Sequence, residues 1–182
     1  MNVSTVKPSL LTSKCRIRNP QDNDAMSMWR LVESSKTLDH NSFYCYFLLS
    51  HFFSSTCAIA DVQGDVVGFA TGFLMPEHPN TYFVWQVRVV EKMRGLGLAR
   101  SLLEFILDNQ KDRIEYVEAT IYPNNFASKN LFNSIAKSHN AQVVEYDNFL
   151  PVSVFPKEAD IHEQENLFRI GPLNYAVKSI SG

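Results

Sequence analysis

The residues best placed to do chemistry are Lys92-Met93-Arg94-Gly95-Leu96-Gly97, which lie between two apolar runs of different period. Val84, Trp85, Val87, Val89 and Val90 precede them and are β-branched or aromatic, as a buried strand requires. Leu98, Leu102, Leu103, Phe105 and Ile106 follow at helical spacing. Two glycines at such a junction let backbone amides approach a ligand closely. The amides that open a helix have no intrahelical partner and carry partial positive charge, so they suit a pyrophosphate. Arg94, Gly95, Leu96, Gly97, Leu98 and Ala99 are the residues of that turn. Two glycines also serve a plain strand-to-helix connection. A P-loop needs Lys-Ser/Thr after the second glycine, where this chain has Leu98-Ala99. A dinucleotide fingerprint needs a third glycine at position 100, which is Arg.

Further chemistry-bearing residues are spread along the chain. Glu118 and Thr120 share one face of the expected strand Tyr116–Ile121, because side chains alternate with period two. A carboxylate there can hold a cation and relay its proton, or be an ordinary surface group. Asn125 stands at the start of an expected helix, where it can cap the helix or hydrogen-bond a ligand. Asp39, ahead of an aromatic stretch, suits a helix entry. Tyr44 and Trp85 suit a core, and His162 suits an exposed loop. Cys15, Cys45 and Cys57 are an odd set without metal-ligand spacing, so reduced cysteines and no metal are expected. A free cysteine such as Cys45 is usually a small buried hydrophobe rather than a nucleophile.

The elements that must position these residues follow from periodicity and turn signals. A polar arm is expected over 1–13, one domain over 14–173 and a tail over 174–182. A strand is expected at Arg16–Arg18, then a helix capped by Asn19 with Pro20 at its first position, running to Val32. An aromatic helix starts near Asn41. Strands Thr56–Val62 and Val66–Leu74 flank the hairpin turn Gln63-Gly64-Asp65. A strand at Ile114–Ile121 and a helix at Asn125–Lys137 follow the glycine turn. The last strands are expected at Gln142–Glu145 and Leu167–Ile170, with Asp147–Glu165 as a long loop. With 182 residues, 45% hydrophobic and 20% charged, the chain reads as one globular domain. A net charge of −2 leaves no basic footprint for nucleic acid. No signal peptide or membrane span is apparent, and the odd set of cysteines points to a cytoplasmic protein.

The glycine turn resembles the acetyl-CoA turn of the GNAT acyltransferases, usually Arg/Gln-x-x-Gly-x-Gly/Ala, with Lys92 at its first position. Tyr122-Pro123-Asn124-Asn125-Phe126-Ala127-Ser128-Lys129-Asn130-Leu131-Phe132 resembles the family's Asn-x-x-Ala-x-x-Leu-Tyr segment. Leu38–Cys57, Phe83–Val87 and His162–Leu173 resemble, more specifically, the L-2,4-diaminobutyrate acetyltransferases of ectoine biosynthesis. The resemblance runs from about Cys15 to Leu173. It implies an α/β (α+β) GNAT fold: a central, mostly antiparallel twisted sheet, about four flanking helices, and a splayed strand pair that binds acetyl-CoA.

The same resemblance implies roles. Acetyl-CoA would be held by Val87 and Val89 through their backbone, by Arg94–Ala99, and by Asn125 and Ser128. Glu118 would bind the substrate ammonium and relay its proton, directly or through water. Asp39 would be a second ammonium partner, Thr120 would line the site, and Tyr44 and Trp85 would wall it as catalytic neighbours. His162 would hold the substrate carboxylate or α-amine. An alkyl amine with pKa about 10 is almost all ammonium at neutral pH, so the proton must leave before attack on the thioester. Phe132 replaces the tyrosine that often protonates the departing thiolate, and Tyr44 and Tyr122 are both possible substitutes. The expected activity is acetyl transfer to the γ-amine of L-2,4-diaminobutyrate, in a homodimer. Another diamine or polyamine as substrate, or an acyl-CoA-binding module without turnover, are the alternatives.

Overall fold

A computed structural model describes residues 15–33, 41–151, 153 and 164–175. The expected arm over 1–13, Asp39 and His162 lie outside the described residues. The strands are β1 (Cys15–Arg18), β2 (Ala58–Val62), β3 (Asp65–Leu74), β4 (Thr81–Val89), β5 (Tyr116–Ile121), β6 (Gln142–Leu150) and β7 (Glu165–Gly171). The described α-helices are α1 (Ala25–Glu33), α2 (Phe43–Phe52), α3 (Leu98–Asn109) and α4 (Phe126–Ser138). The strands form one sheet in the order β1-β2-β3-β4-β5-β7-β6. β4 and β5 are parallel, whereas the β1–β2, β2–β3, β5–β7 and β6–β7 ladders are antiparallel. The chain divides into two compact units, one of residues 1–73 and 85–110 and the other of 74–84 and 111–182.

In the first unit, Ala25, Met28, Val32, Tyr46, Ile59 and Phe69 form a buried cluster on which Trp29, Leu31, Phe47 and Val66 pack. α3 presents Leu98, Leu102, Leu103, Ile106 and Leu107 inward and packs on β2 and β1. The hairpin turn is as expected: Gln63 (φ 56°) and Gly64 (φ 93°) both take positive φ, the conformation that matches the twist of paired strands. Gly68 is needed for a different reason, since a Cβ there would lie 2.9 Å from the Arg88 carbonyl oxygen. The expected cap at Asn19 is not formed. Asn19 Nδ2 instead donates to the Ser54 and Cys57 carbonyls at 2.8 and 3.0 Å. α1 therefore begins at Ala25, after a 3-10 turn over Asp22–Asp24 in which the Gln21 amide donates to the Asp24 carboxylate.

In the second unit, β5 and β7 bury Val117, Ala119, Ile121, Phe168 and Ile170, and α4 adds Phe132, Ile135 and Ala136 to the core. α4 packs on β7 and β6. Lys129 lies over the Phe168 ring at 5.2 Å and pairs with Glu145 at 2.9 Å. Hydrogen bonds from Asn166 and Lys129 hold the Glu145 carboxyl below its usual value.

Asp147–Leu150 is strand rather than the start of a loop. β6 continues through an irregularity between Tyr146 and Leu150, where Asn148 takes φ 55° and its amide donates to Asn166 Oδ1 at 3.0 Å. Asn166 Nδ2 also donates to Glu145 and Asp147 at 2.8 and 2.9 Å, so one buried side chain satisfies polar groups along the strand. Alternation is broken there, and the sequence pattern loses the strand. β5 starts at Tyr116 rather than Ile114, and β4 starts at Thr81, ahead of its β-branched run.

Candidate functional site

In the first unit, β4 leads through Val90 and a 3-10 turn over Glu91–Met93 into the glycine turn. Met93 is buried and anchors that turn in the core. Arg94 Nε donates to the Val89 carbonyl at 3.3 Å, tying the turn to the strand end. Gly95 (φ 74°) and Gly97 (φ 75°) both take the left-handed conformation that L residues disfavour. A Cβ at either would meet nothing within 4 Å, so conformation rather than crowding selects glycine. Gly97 is the N-cap of α3, and its carbonyl accepts from the Ser101 amide at 3.0 Å.

The amides of Leu98 and Ala99 open the 12-residue helix, where the helix dipole favours an anion. Burial and the nearby charge of Arg94 lower the Arg88 guanidinium from its usual value. Arg88 and Arg94 are thus near enough to interact, with Glu91 acting in the opposite sense, so the strand end that leads into the turn carries two cations and one anion.

Two aromatic candidates are also in this unit and are solvent-accessible. Trp85 is 47% exposed and meets the Phe73 ring edge-on at 6.1 Å. Tyr44 is 64% exposed and stacks on Phe47 at 6.5 Å. Neither is a core residue, so a core role does not account for them. Gln86, by contrast, is turned inward and accepts a hydrogen bond from Tyr46 at 3.0 Å. Val89 is buried and Val87 is half-buried. Burial pushes the Cys57 thiol up to about 12 and raises Cys45, which leaves both as weak nucleophiles at neutral pH.

In the second unit, the parallel ladder pairs Thr81, Tyr82 and Phe83 of β4 with Tyr116, Val117 and Glu118 of β5. Glu118 is 6% exposed, yet lies on the face opposite Val117 and Ala119, with Tyr116 and Thr120. Directly across from it in the antiparallel register is Arg169 of β7. Arg169 Nη1 donates to Glu118 Oε1, and the two form an ion pair. The guanidinium lies over the Tyr116 ring at 4.1 Å. A carboxylate this buried needs a cationic partner, and the cross-strand arginine supplies it. Nothing in the local pattern around Arg169 marks it as a site residue. Its signal existed only as a register, because Glu118 and Arg169 are 51 positions apart.

Asn125 caps α4, its Oδ1 accepting from the Ser128 amide at 3.1 Å. This satisfies the capping role with Oδ1 alone, and Asn125 is otherwise an exposed residue. Ser128 thus contributes through its backbone to the cap. Phe132 is 3% exposed and belongs to the core of this unit. No group of three or more His, Cys, Asp or Glu able to hold a metal ion occurs among the described residues.

Residues 23–135 match the Acetyltransferase (GNAT) family. The chain is 40% identical over 173 residues to an L-2,4-diaminobutyric acid acetyltransferase of Halalkalibacterium halodurans, covering 94% of this chain and 89% of that protein. It is 43% identical over 154 residues to the enzyme of the same name from Marinococcus halophilus, covering 84% and 87%. Among solved structures it is similar to the diaminobutyrate acetyltransferase EctA from Paenibacillus lautus in complex with L-2,4-diaminobutyric acid and coenzyme A. That likeness has a TM-score of 0.81 and 36% identity, over 87% of this chain and 95% of the other. Ard1 from Thermoplasma volcanium, with a TM-score of 0.65 and 16% identity over 88% and 98%, shares the fold. The chain belongs to the acetyltransferase (GNAT) family and, within it, to the L-2,4-diaminobutyric acid acetyltransferases.

Proposed function

We propose that this protein transfers acetyl from acetyl-CoA to the γ-amino group of L-2,4-diaminobutyrate, giving N4-acetyl-L-2,4-diaminobutyrate and CoA. The observation that carries this reading is the likeness, over most of both chains, to a structure holding that amino acid and coenzyme A. The biological setting we assign is ectoine biosynthesis under osmotic stress, in a cytoplasmic homodimer.

The glycine turn and the first turn of α3, from Arg94 to Ala99, receive the pyrophosphate of acetyl-CoA. The backbone of Val87 and Val89 aligns the pantetheine and polarises the thioester carbonyl, while the Nδ2 of Asn125 donates to the pantetheine arm. Thr120, Tyr44 and Trp85 line the amine site, together with Asp39 and His162. An aromatic wall stabilises a cation by roughly 0.5–2 kcal/mol, depending on desolvation. Glu118 takes the proton of the γ-ammonium, directly or through water. The freed nitrogen lone pair attacks the thioester carbon and the C–S bond breaks; the nitrogen then gives up its second proton, leaving a neutral amide, and the departing CoA thiolate takes up one proton. A thiol pKa of about 8.5 makes that thiolate a tolerable leaving group without the tyrosine that Phe132 replaces.

The test is free-thiol release from acetyl-CoA with diaminobutyrate, ornithine, lysine and spermidine in parallel, followed by NMR of the product. Release that is fastest with diaminobutyrate, acetylated on the γ-nitrogen, is the expected result. Preference for spermidine would move the enzyme to polyamines, and no release with any amine would make it a binding module.

The turn has its own test. Gly97→Ala forces a Cβ into the left-handed region at a cost of roughly 1–2 kcal/mol. We expect CoA affinity, measured by calorimetry, to fall about 10-fold, since 1.4 kcal/mol is a factor of ten. Gly64→Ala, equally left-handed and equally open but in a hairpin, is the control and leaves that affinity unchanged.

A further inference from the structure

Arg169 uses one guanidinium nitrogen on Glu118, and its other N–H groups meet no protein acceptor among the described residues. Its side chain is 32% exposed, so those donors are not sealed in the core. The Tyr116 ring, 4.1 Å from the guanidinium, restricts the orientation of its plane. On the face of β5, β6 and β7 opposite α4, alternation places Glu118 and Thr120 with Val144, Tyr146, Glu165 and Arg169, and Arg169 is the only cation among these residues. Lys129 is on the α4 side, engaged with Glu145. This face therefore holds the Glu118 carboxylate and the Arg169 guanidinium side by side, with hydrogen-bonding capacity left on the cation.

A diamine has nothing to offer that cation, whereas an amino acid has a carboxylate. We propose that Arg169 is a specificity-determining residue that receives the substrate's carboxylate on its unengaged N–H groups, so that the Glu118–Arg169 pair selects a zwitterionic amino acid over a plain diamine. The inference rests on the diaminobutyrate reading above. Arginine suits this task because its planar fork matches a carboxylate with two parallel N–H donors and stays charged at any physiological pH. In the ligand-bound state both members of the pair gain a partner of opposite sign, so neither is left unsatisfied.

The experiment compares L-2,4-diaminobutyrate with 1,3-diaminopropane, which is the same molecule without its carboxylate, in the full-length enzyme and in Arg169→Met and Arg169→Lys. The wild-type measurement alone decides the underlying reading, because failure to acetylate diaminobutyrate sinks the substrate assignment before any variant is considered. Given that activity, the ratio of kcat/KM for the two amines is the readout. A charge-assisted hydrogen bond contributes roughly 1.5–3 kcal/mol, so the preference for diaminobutyrate should fall about 10- to 100-fold in Arg169→Met. Arg169→Lys should recover part of it.

An equal loss for both amines would overturn the proposal and make Arg169 only a support for Glu118, as would an unchanged ratio. If Arg169→Met does not fold, the wild-type enzyme with 2,4-diaminobutyramide, which lacks the carboxylate charge, still decides. A KM within twofold of that for diaminobutyrate would overturn the proposal, and a rise of about 10-fold or more supports it.

Discussion

Glu118→Gln lowers turnover of diaminobutyrate by about 100-fold or more and leaves coenzyme A affinity within twofold. General base catalysis by a positioned side chain typically contributes 10²–10⁴-fold. The glutamine keeps the shape of the side chain and an oxygen for the Arg169 N–H, so the loss reports the missing base and charge rather than a collapsed sheet. Glu118→Ala loses as much turnover, and it also leaves the guanidinium without its buried partner, which adds a loss of stability. Coenzyme A affinity is the internal control, because Glu118 is not among the residues proposed to hold coenzyme A. Steady-state kinetics with calorimetry on the same preparations reads both quantities. Unchanged turnover in Glu118→Gln would remove the residue from the mechanism.

Gly171→Ala has the largest expected effect on stability. Gly171 is at φ 149°, in a region that residues with a Cβ rarely adopt. An added Cβ would lie 2.3 Å from Tyr116 Cδ1 and 2.9 Å from the Glu115 carbonyl oxygen. The ring can shift only by disturbing the stack on Arg169, and the carbonyl cannot move without the strand. Backbone strain of roughly 1–3 kcal/mol and overpacking of roughly 1–3 kcal/mol together come to roughly 2–6 kcal/mol. For a chain of this size even about 3 kcal/mol lowers the melting temperature by about 6–12 °C. Thermal unfolding followed by circular dichroism checks it, and a melting temperature within 2 °C of wild type would show that the end of β7 relaxes freely.

These two positions also show what a single sequence can and cannot disclose. Period-two alternation was enough to place Glu118 and Thr120 on one face, and the run from Val84 to Ile106 announced strand, turn and helix in order. Gly95 and Gly97 were legible because left-handed backbone selects a residue type. The GNAT fold follows from such local signals joined to a resemblance. Arg169 was not legible, since its significance is a register between β5 and β7, and a register is a long-range fact. Asn19 illustrates the converse failure. Its type and its proline neighbour fit a helix cap, but two carbonyls of the Ser54–Cys57 segment compete for its amide and win. The end of β6 escaped for a third reason, because Asn166 stabilises it from another strand through side-chain hydrogen bonds.

That irregular end of β6 has a bearing on solubility. β6 is an outermost strand, and it exposes Val144, Tyr146 and Phe149. A long, flat, apolar margin of this kind invites a strand from another molecule to continue the ladder. The left-handed Asn148 breaks the regular spacing of backbone donors and acceptors along this edge. A neighbouring chain therefore finds greasy side chains there, but no uninterrupted template to copy.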